Sequence, residues 1–162
     1  MGGPVMSHSL PQLEWFDKPD PTSGEAGLRF SCTMCGNCCS GPEGYVLVDD
    51  AEVLALAKRM GVSPREFVDR YTRATSAGRS LTERVTDAGN DCVFLDREKI
   101  PGKAVCGVYE DRPKQCRTWP FWKSLLHSRR HWERAKAICP GMDRGERFEP
   151  EVIRQRRGVI DI

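Results

Sequence analysis

Apolar positions in this chain come in short runs of two different periods, separated by clusters of Gly, Pro, Asp and Asn. Tyr45-Val46-Leu47-Val48 reads as a short strand. Asp49 or Asp50 then caps a helix that carries Val53, Leu54, Leu56, Ala57 and Met60 at helical spacing and stops at Gly61. Ser63-Pro64-Arg65-Glu66 has the form of a capping box with proline at the first helical position, and predicts a second helix to about Tyr71. Ser80 to Val85 and Cys92 to Leu95, on either side of Asp87-Ala88-Gly89-Asn90, predict a hairpin whose second strand delivers Cys92. A further short strand is expected over Ala104 to Tyr109, with Cys106 inside it. Pro113 predicts a helical turn beginning at Asp111 or Arg112, with Cys116 one turn in. Helices are expected again over about Phe121 to Ala137 and Glu149 to Gln155. This mixture of short strands and helices, without regular alternation, predicts a small, irregular, cysteine-rich α+β domain organised around metal sites.

The pattern also divides the chain. Residues 1–29 hold Pro, Gly and Ser without apolar periodicity and read as a mobile arm, from which Leu13, Trp15 and Phe16 could dock. Residues 30–145 carry the cysteines and form the expected metal-chelating domain, and residues 146–162 form a basic tail with its own helix. At 162 residues with 39% hydrophobic side chains and few aromatics, one domain is expected, with metal helping to hold it together.

Eight cysteines change the picture most. Four of them stand in Cys32-Thr33-Met34-Cys35-Gly36-Asn37-Cys38-Cys39, a C-x2-C-x2-C-C run. A C-x2-C turn folds two sulfurs onto one centre, and Gly36 and Asn37 tolerate the left-handed backbone such a turn needs. The C-x2-C-x2-C spacing is the one by which ferredoxins hold an iron-sulfur cluster. A disulfide framework is the alternative for an even cysteine count. The first residues, Met1 to His8, have neither a basic stretch nor an apolar core like that of a secretory signal, so a reducing cytoplasmic setting is expected, where clustered thiols bind metal. Ser7 falls one place late for a myristoylation motif at Gly2, and no apolar stretch reaches membrane-spanning length. The formal charge of +2 becomes about −2 once two four-thiolate sites with divalent cores are formed, which gives nucleic-acid binding no support.

Four separated blocks, Cys32-x2-Cys35-Gly36-x-Cys38-Cys39, Cys92-Val93-Phe94-Leu95, Cys106-x-Val108-Tyr109-Glu110-x-Arg112-Pro113-x2-Cys116-Arg117-x2-Pro120-Phe121 and Cys139-Pro140-Gly141, appear in order. Together they resemble the YkgJ-type CxxCxxCC cysteine-cluster family, from about Phe30 to Gly145. The resemblance implies zinc or iron chelation, an activity of iron-sulfur oxidoreductase type, and kinship with the cysteine cluster of flagellin lysine methylases. It supplies no substrate.

All eight cysteines, Cys32, Cys35, Cys38, Cys39, Cys92, Cys106, Cys116 and Cys139, are candidate metal ligands. Neighbouring side chains of an extended or turn backbone point to opposite faces, so Cys38 and Cys39 are expected to face different ways. Two sites of four thiolates would use every cysteine, whereas a single cluster leaves four as small buried apolar residues, Cys92 and Cys106 among them. No second C-x2-C knuckle follows Cys39, which argues against a zinc ribbon. Cys139 precedes a proline, like the remote ligand of ferredoxins, and Cys116 competes with it for that place. Arg112 and Arg117 beside Cys116 are candidate cofactor-facing cations that would offset an anionic centre, and Trp119-Pro120-Phe121-Trp122 would cover it. His127 and His131 stand four apart without a third ligand and read as a surface pair. Lys123, Arg129, Arg130, Arg134 and Lys136 read as a charged helix face. Hydrolase, P-loop and dinucleotide fingerprints are absent, and so is the C-x3-C-x2-C loop of radical enzymes. Three functions remain: an iron-sulfur protein for redox, sensing or modification of a protein partner; a zinc-stapled interaction domain; and exchangeable metal handling.

Overall fold

A computed structural model describes residues 12–162. The first eleven residues of the expected arm, with the segment read for a secretory signal and myristoylation, lie outside the described residues. From Trp15 onward the chain forms a 3-10 turn (Trp15–Asp17), β1 (Leu28–Phe30), a second 3-10 turn (Asn37–Cys39), α1 (Asp50–Met60), α2 (Pro64–Tyr71), β2 (Thr72–Thr75), β3 (Gly78–Leu81), β4 (Glu83–Thr86), β5 (Gly89–Cys92), β6 (Leu95–Asp96) and β7 (Val105–Cys106). A 3-10 turn (Tyr109–Asp111), α3 (Lys114–Thr118), α4 (Lys123–Leu126), α5 (Arg129–Lys136), β8 (Glu146–Phe148) and α6 (Pro150–Arg157) complete it. The strands make antiparallel pairs β1–β8, β2–β3, β4–β5 and β6–β7, so the fold is a small α+β domain. No helix among the described residues is long and apolar enough to cross a membrane.

Helix starts follow the local chemistry. Asp49 accepts from the Glu52 amide and Glu52 returns a carboxylate oxygen to the Asp49 amide, both at 2.8 Å, and Gly61 closes α1 in the left-handed conformation. Ser63 caps α2 by accepting from the Glu66 amide, but the Glu66 carboxylate turns instead to Arg70 at 2.8 Å. The single helix expected over Phe121 to Ala137 is two: α4 ends at Leu126 and Ser128 restarts the chain as the cap of α5.

The hairpin expected over residues 80–95 is also differently built. Ser80 and Leu81 belong to β3, which pairs with β2, and Glu83–Thr86 pairs with Gly89–Cys92 across the two-residue turn Asp87-Ala88. The segment from Tyr45 to Val48 is held to β3 only by the bridge from Leu47 to Ser80 and its flanking bonds, because the Gln115 side chain occupies the Leu47 amide and the Tyr45 carbonyl. The helical turn near Pro113 begins later than expected, at Lys114, with Pro113 as its cap.

Two apolar clusters result. The first gathers Phe16, Leu28, Phe121, Leu126, Trp132, Met142, Phe148 and Ile153, so that the leader from Trp15 and α6 pack into one core. Glu14 and Asp17 clamp that junction through Arg154 and Arg157. Leu13 stays exposed. The second cluster gathers Val48, Val53, Leu56, Phe67, Leu81, Phe94 and Val108 under α1 and α2. The cysteines lie where these clusters meet: Cys139 belongs to the first, and Cys92 and Cys106 pack against the second.

Candidate metal centre

Backbone hydrogen bonds sew the Cys32–Cys39 loop and its flanks to the segments that carry Cys92, Cys106 and Cys139. The Ser31 amide donates to the Gly141 carbonyl at 3.0 Å, two residues past Cys139. The Ala104 amide donates to the Met34 carbonyl at 2.8 Å, two residues before Cys106, and the Asn90 amide donates to Gly41 at 2.8 Å, two residues before Cys92. Asn37 adds its carboxamide, which donates to the Ile138 carbonyl at 2.7 Å. Cys116 arrives by a different route. Its neighbour Gln115, buried in α3, donates to the Tyr45 carbonyl and accepts from the Leu47 amide at 2.9 and 2.8 Å, while the buried Glu52 of the α1 cap accepts from the Lys114 amide at 2.6 Å.

Two glycines permit this closeness. Gly36 is left-handed, and a Cβ there would stand 2.6 Å from the Cβ of Ala104; at Gly141 it would stand 2.1 Å from the Ser31 carbonyl oxygen. The other left-handed residue of the loop is Met34 rather than Asn37, and the Met34 amide stands 3.4 Å from Cys32 Sγ.

All eight cysteines line one cavity of about 340 Å³. Its remaining wall is mostly apolar, with Phe30, Val46, Leu81, Phe94, Ala104, Val108 and Trp119. Arg112 lines it too; its guanidinium stacks on the Tyr109 ring at 3.6 Å and belongs to none of the ion pairs among the described residues. Arg117 is exposed and lies off the cavity wall. Of the proposed aromatic cover, Trp119 reaches the cavity while Phe121 is buried in the first apolar cluster. His127 and His131 stand face to edge, 5.1 Å apart, away from the cysteines.

The expectation that Cys38 and Cys39 face opposite ways is corrected. They sit in a 3-10 turn, where successive side chains are about 120° apart rather than opposed, and both reach the cavity with their sulfurs 3.5 Å apart. That contact moves their protons. The Cys39 thiol hydrogen-bonds Cys38, which brings the Cys38 thiol down to about 7 with help from the field of Arg112, and pushes Cys39 upward. Burial raises Cys92 to about 11 and also raises Cys106 and Cys116. Among the described residues no three His, Cys, Asp or Glu side chains form a ready-made site for one ion. The thiols instead surround a space far larger than the roughly 10–15 Å³ that a single water needs on this measure.

A family model described as a zinc- or iron-chelating domain matches residues 31–140, which contain every cysteine of the chain. The chain belongs to the CxxCxxCC family. Metal chelation is therefore the chemistry of this domain, and the family description leaves zinc and iron both open. No solved structure matches the chain. Within this CxxCxxCC domain the cysteine spacing points to the centre, but nothing in the spacing singles out Gln115 and Glu52, which place α3. Their only sequence mark is position, beside Cys116 and at the third residue of a cap.

Proposed function

We propose that the cysteine cavity holds a polynuclear iron-sulfur centre, and that the protein uses it for redox chemistry, sensing or modification of a partner protein. The observation that carries this reading is that eight thiols surround one apolar cavity of about 340 Å³ instead of converging on a point. The donor set fits: soft thiolates, a largely apolar wall, and two cations, Lys99 and Arg112, to offset charge. The loop thiols Cys32, Cys35, Cys38 and Cys39, with Cys92, Cys106, Cys116 and Cys139, are the candidate ligands, of which a single cluster would take four.

An iron-sulfur cluster, when bound, supplies reversible one-electron storage. The chain's residues determine access to it. Trp119, Phe30 and Phe94 limit water, and Arg112 favours added negative charge inside the cavity. Met34, Ile100 and Tyr109 line the cavity and remain exposed, so one side can be approached by a redox partner. Zinc in the same place would hold the two apolar clusters together without redox chemistry, or be handed on. Colour separates the readings: protein purified without air should be brown, absorb broadly in the visible and bleach on reduction with dithionite. A colourless protein whose metal exchanges with a chelator would replace this reading with the zinc one.

A further inference from the structure

Thr33, between the first two cysteines, presents a feature that the ligand set leaves unexplained. Its Oγ1 is buried and has no hydrogen-bond partner among the described residues, although buried hydroxyls are nearly always paired. The residue is well fixed. Its carbonyl accepts from Lys103 Nζ at 3.1 Å, and both Thr33 and the left-handed, partly exposed Met34 line the cavity. None of the eight thiols serves as its acceptor. Thr33 lines the cavity with that oxygen sealed from water, so a group filling the cavity would meet the hydroxyl after a turn about the Cα–Cβ bond.

We infer that the Thr33 hydroxyl donates a hydrogen bond to sulfur of the bound centre and thereby makes that centre easier to reduce. This rests on the iron-sulfur reading, because an inorganic sulfide brings acceptor lone pairs into the cavity and a bare metal ion brings none. A hydrogen bond to cluster sulfur stabilises the electron-rich state more than the oxidised one, so losing it lowers the midpoint potential. Thr33 is a positioning and tuning residue here, and no ligand role is assigned to it.

The test uses the full-length chain purified without air, as wild type and as Thr33→Val, Thr33→Ala and Thr33→Ser. Iron and sulfide are counted, the midpoint is read by a spectroscopic redox titration, and the reduced centre is examined by pulsed electron paramagnetic resonance in D2O. Thr33→Val is expected to keep its iron and sulfide, shift the midpoint to more negative potential and lose a coupling to an exchangeable deuteron. Thr33→Ser should restore both. If Val and Ala lose the cluster while Ser keeps it, the hydroxyl requirement is likewise upheld. An unchanged midpoint and an unchanged deuteron coupling in loaded Thr33→Val would overturn the inference alone, as would loss of the cluster in all three variants, which would mark a packing role. Wild-type protein with metal but no sulfide would overturn it together with the iron-sulfur reading.

Discussion

At the scale of residues, the two arginines flanking Cys116 separate electrostatic tuning from bystander charge. Arg112 lines the cavity and Arg117 does not. Replacing Arg112 by Leu should move the midpoint potential of the loaded protein to more negative values at unchanged metal content, whereas Arg117→Leu should leave it unmoved, as a redox titration of both variants would show. The thiols make a second prediction. Cys92 is raised to about 11 and Cys116 is raised as well, chiefly by burial, so both are protonated at neutral pH and must lose their protons to bind metal. Affinity for added metal should therefore climb from pH 6.5 to 8.5 by about tenfold per unit for each proton released, measured by competition with a chelator. Without metal, the same raised value works against the fold in alkali. Below about pH 9 Cys92 is protonated whether folded or unfolded, and between about 9 and 11 the unfolded chain ionises first, so stability falls as pH rises through that window.

At the scale of elements, Asp91 fixes the end of β5 next to Cys92. It is buried and bound at both carboxylate oxygens by Arg97, at 2.7 and 2.8 Å. That hydrogen-bonded pairing holds the Asp91 carboxyl down to about 2. Since the folded value lies below the unfolded one, its contribution of about 2 kcal/mol is present above pH 4 and is lost as the pH falls towards 2. Asp91→Ala should cost about 2 kcal/mol in denaturant unfolding, because it removes the buried, charge-assisted acceptor while Arg97, itself partly exposed, returns to water. How legible such elements are in the sequence depends on where their hydrogen bonds go. α1 and α2 are readable because Asp49, Ser63 and Gly61 are local signals acting over a few residues. Tyr45–Val48 has a strand's composition, but its polar backbone is claimed by Gln115, 68 and 70 residues away, which no local pattern encodes. β1 and β8 pair across more than a hundred residues, and β2 has no apolar alternation to announce it. Opposition of Cys38 and Cys39 was the wrong expectation because it supposes an extended or turn backbone, and the chain there winds into a 3-10 turn. The cysteine roster itself is legible; their convergence on one cavity is a property of the fold.

At the scale of the whole molecule, the cavity lies where two apolar clusters meet, so whatever fills it ties the clusters together. Cys35→Ser should lose metal and melt about 10 °C lower than the loaded protein in a calorimetric scan, since binding free energy is available only to the folded chain. An unchanged melting curve would show that the clusters hold each other unaided. The central claim is that eight thiols surround a polynuclear iron-sulfur centre. The most direct test is to count iron, acid-labile sulfide and zinc per chain in protein purified without air. Iron and sulfide in equal amounts, about four of each per cluster, with no stoichiometric zinc, is the result predicted. Zinc in whole-number ratio to the chain, with no sulfide, would contradict it.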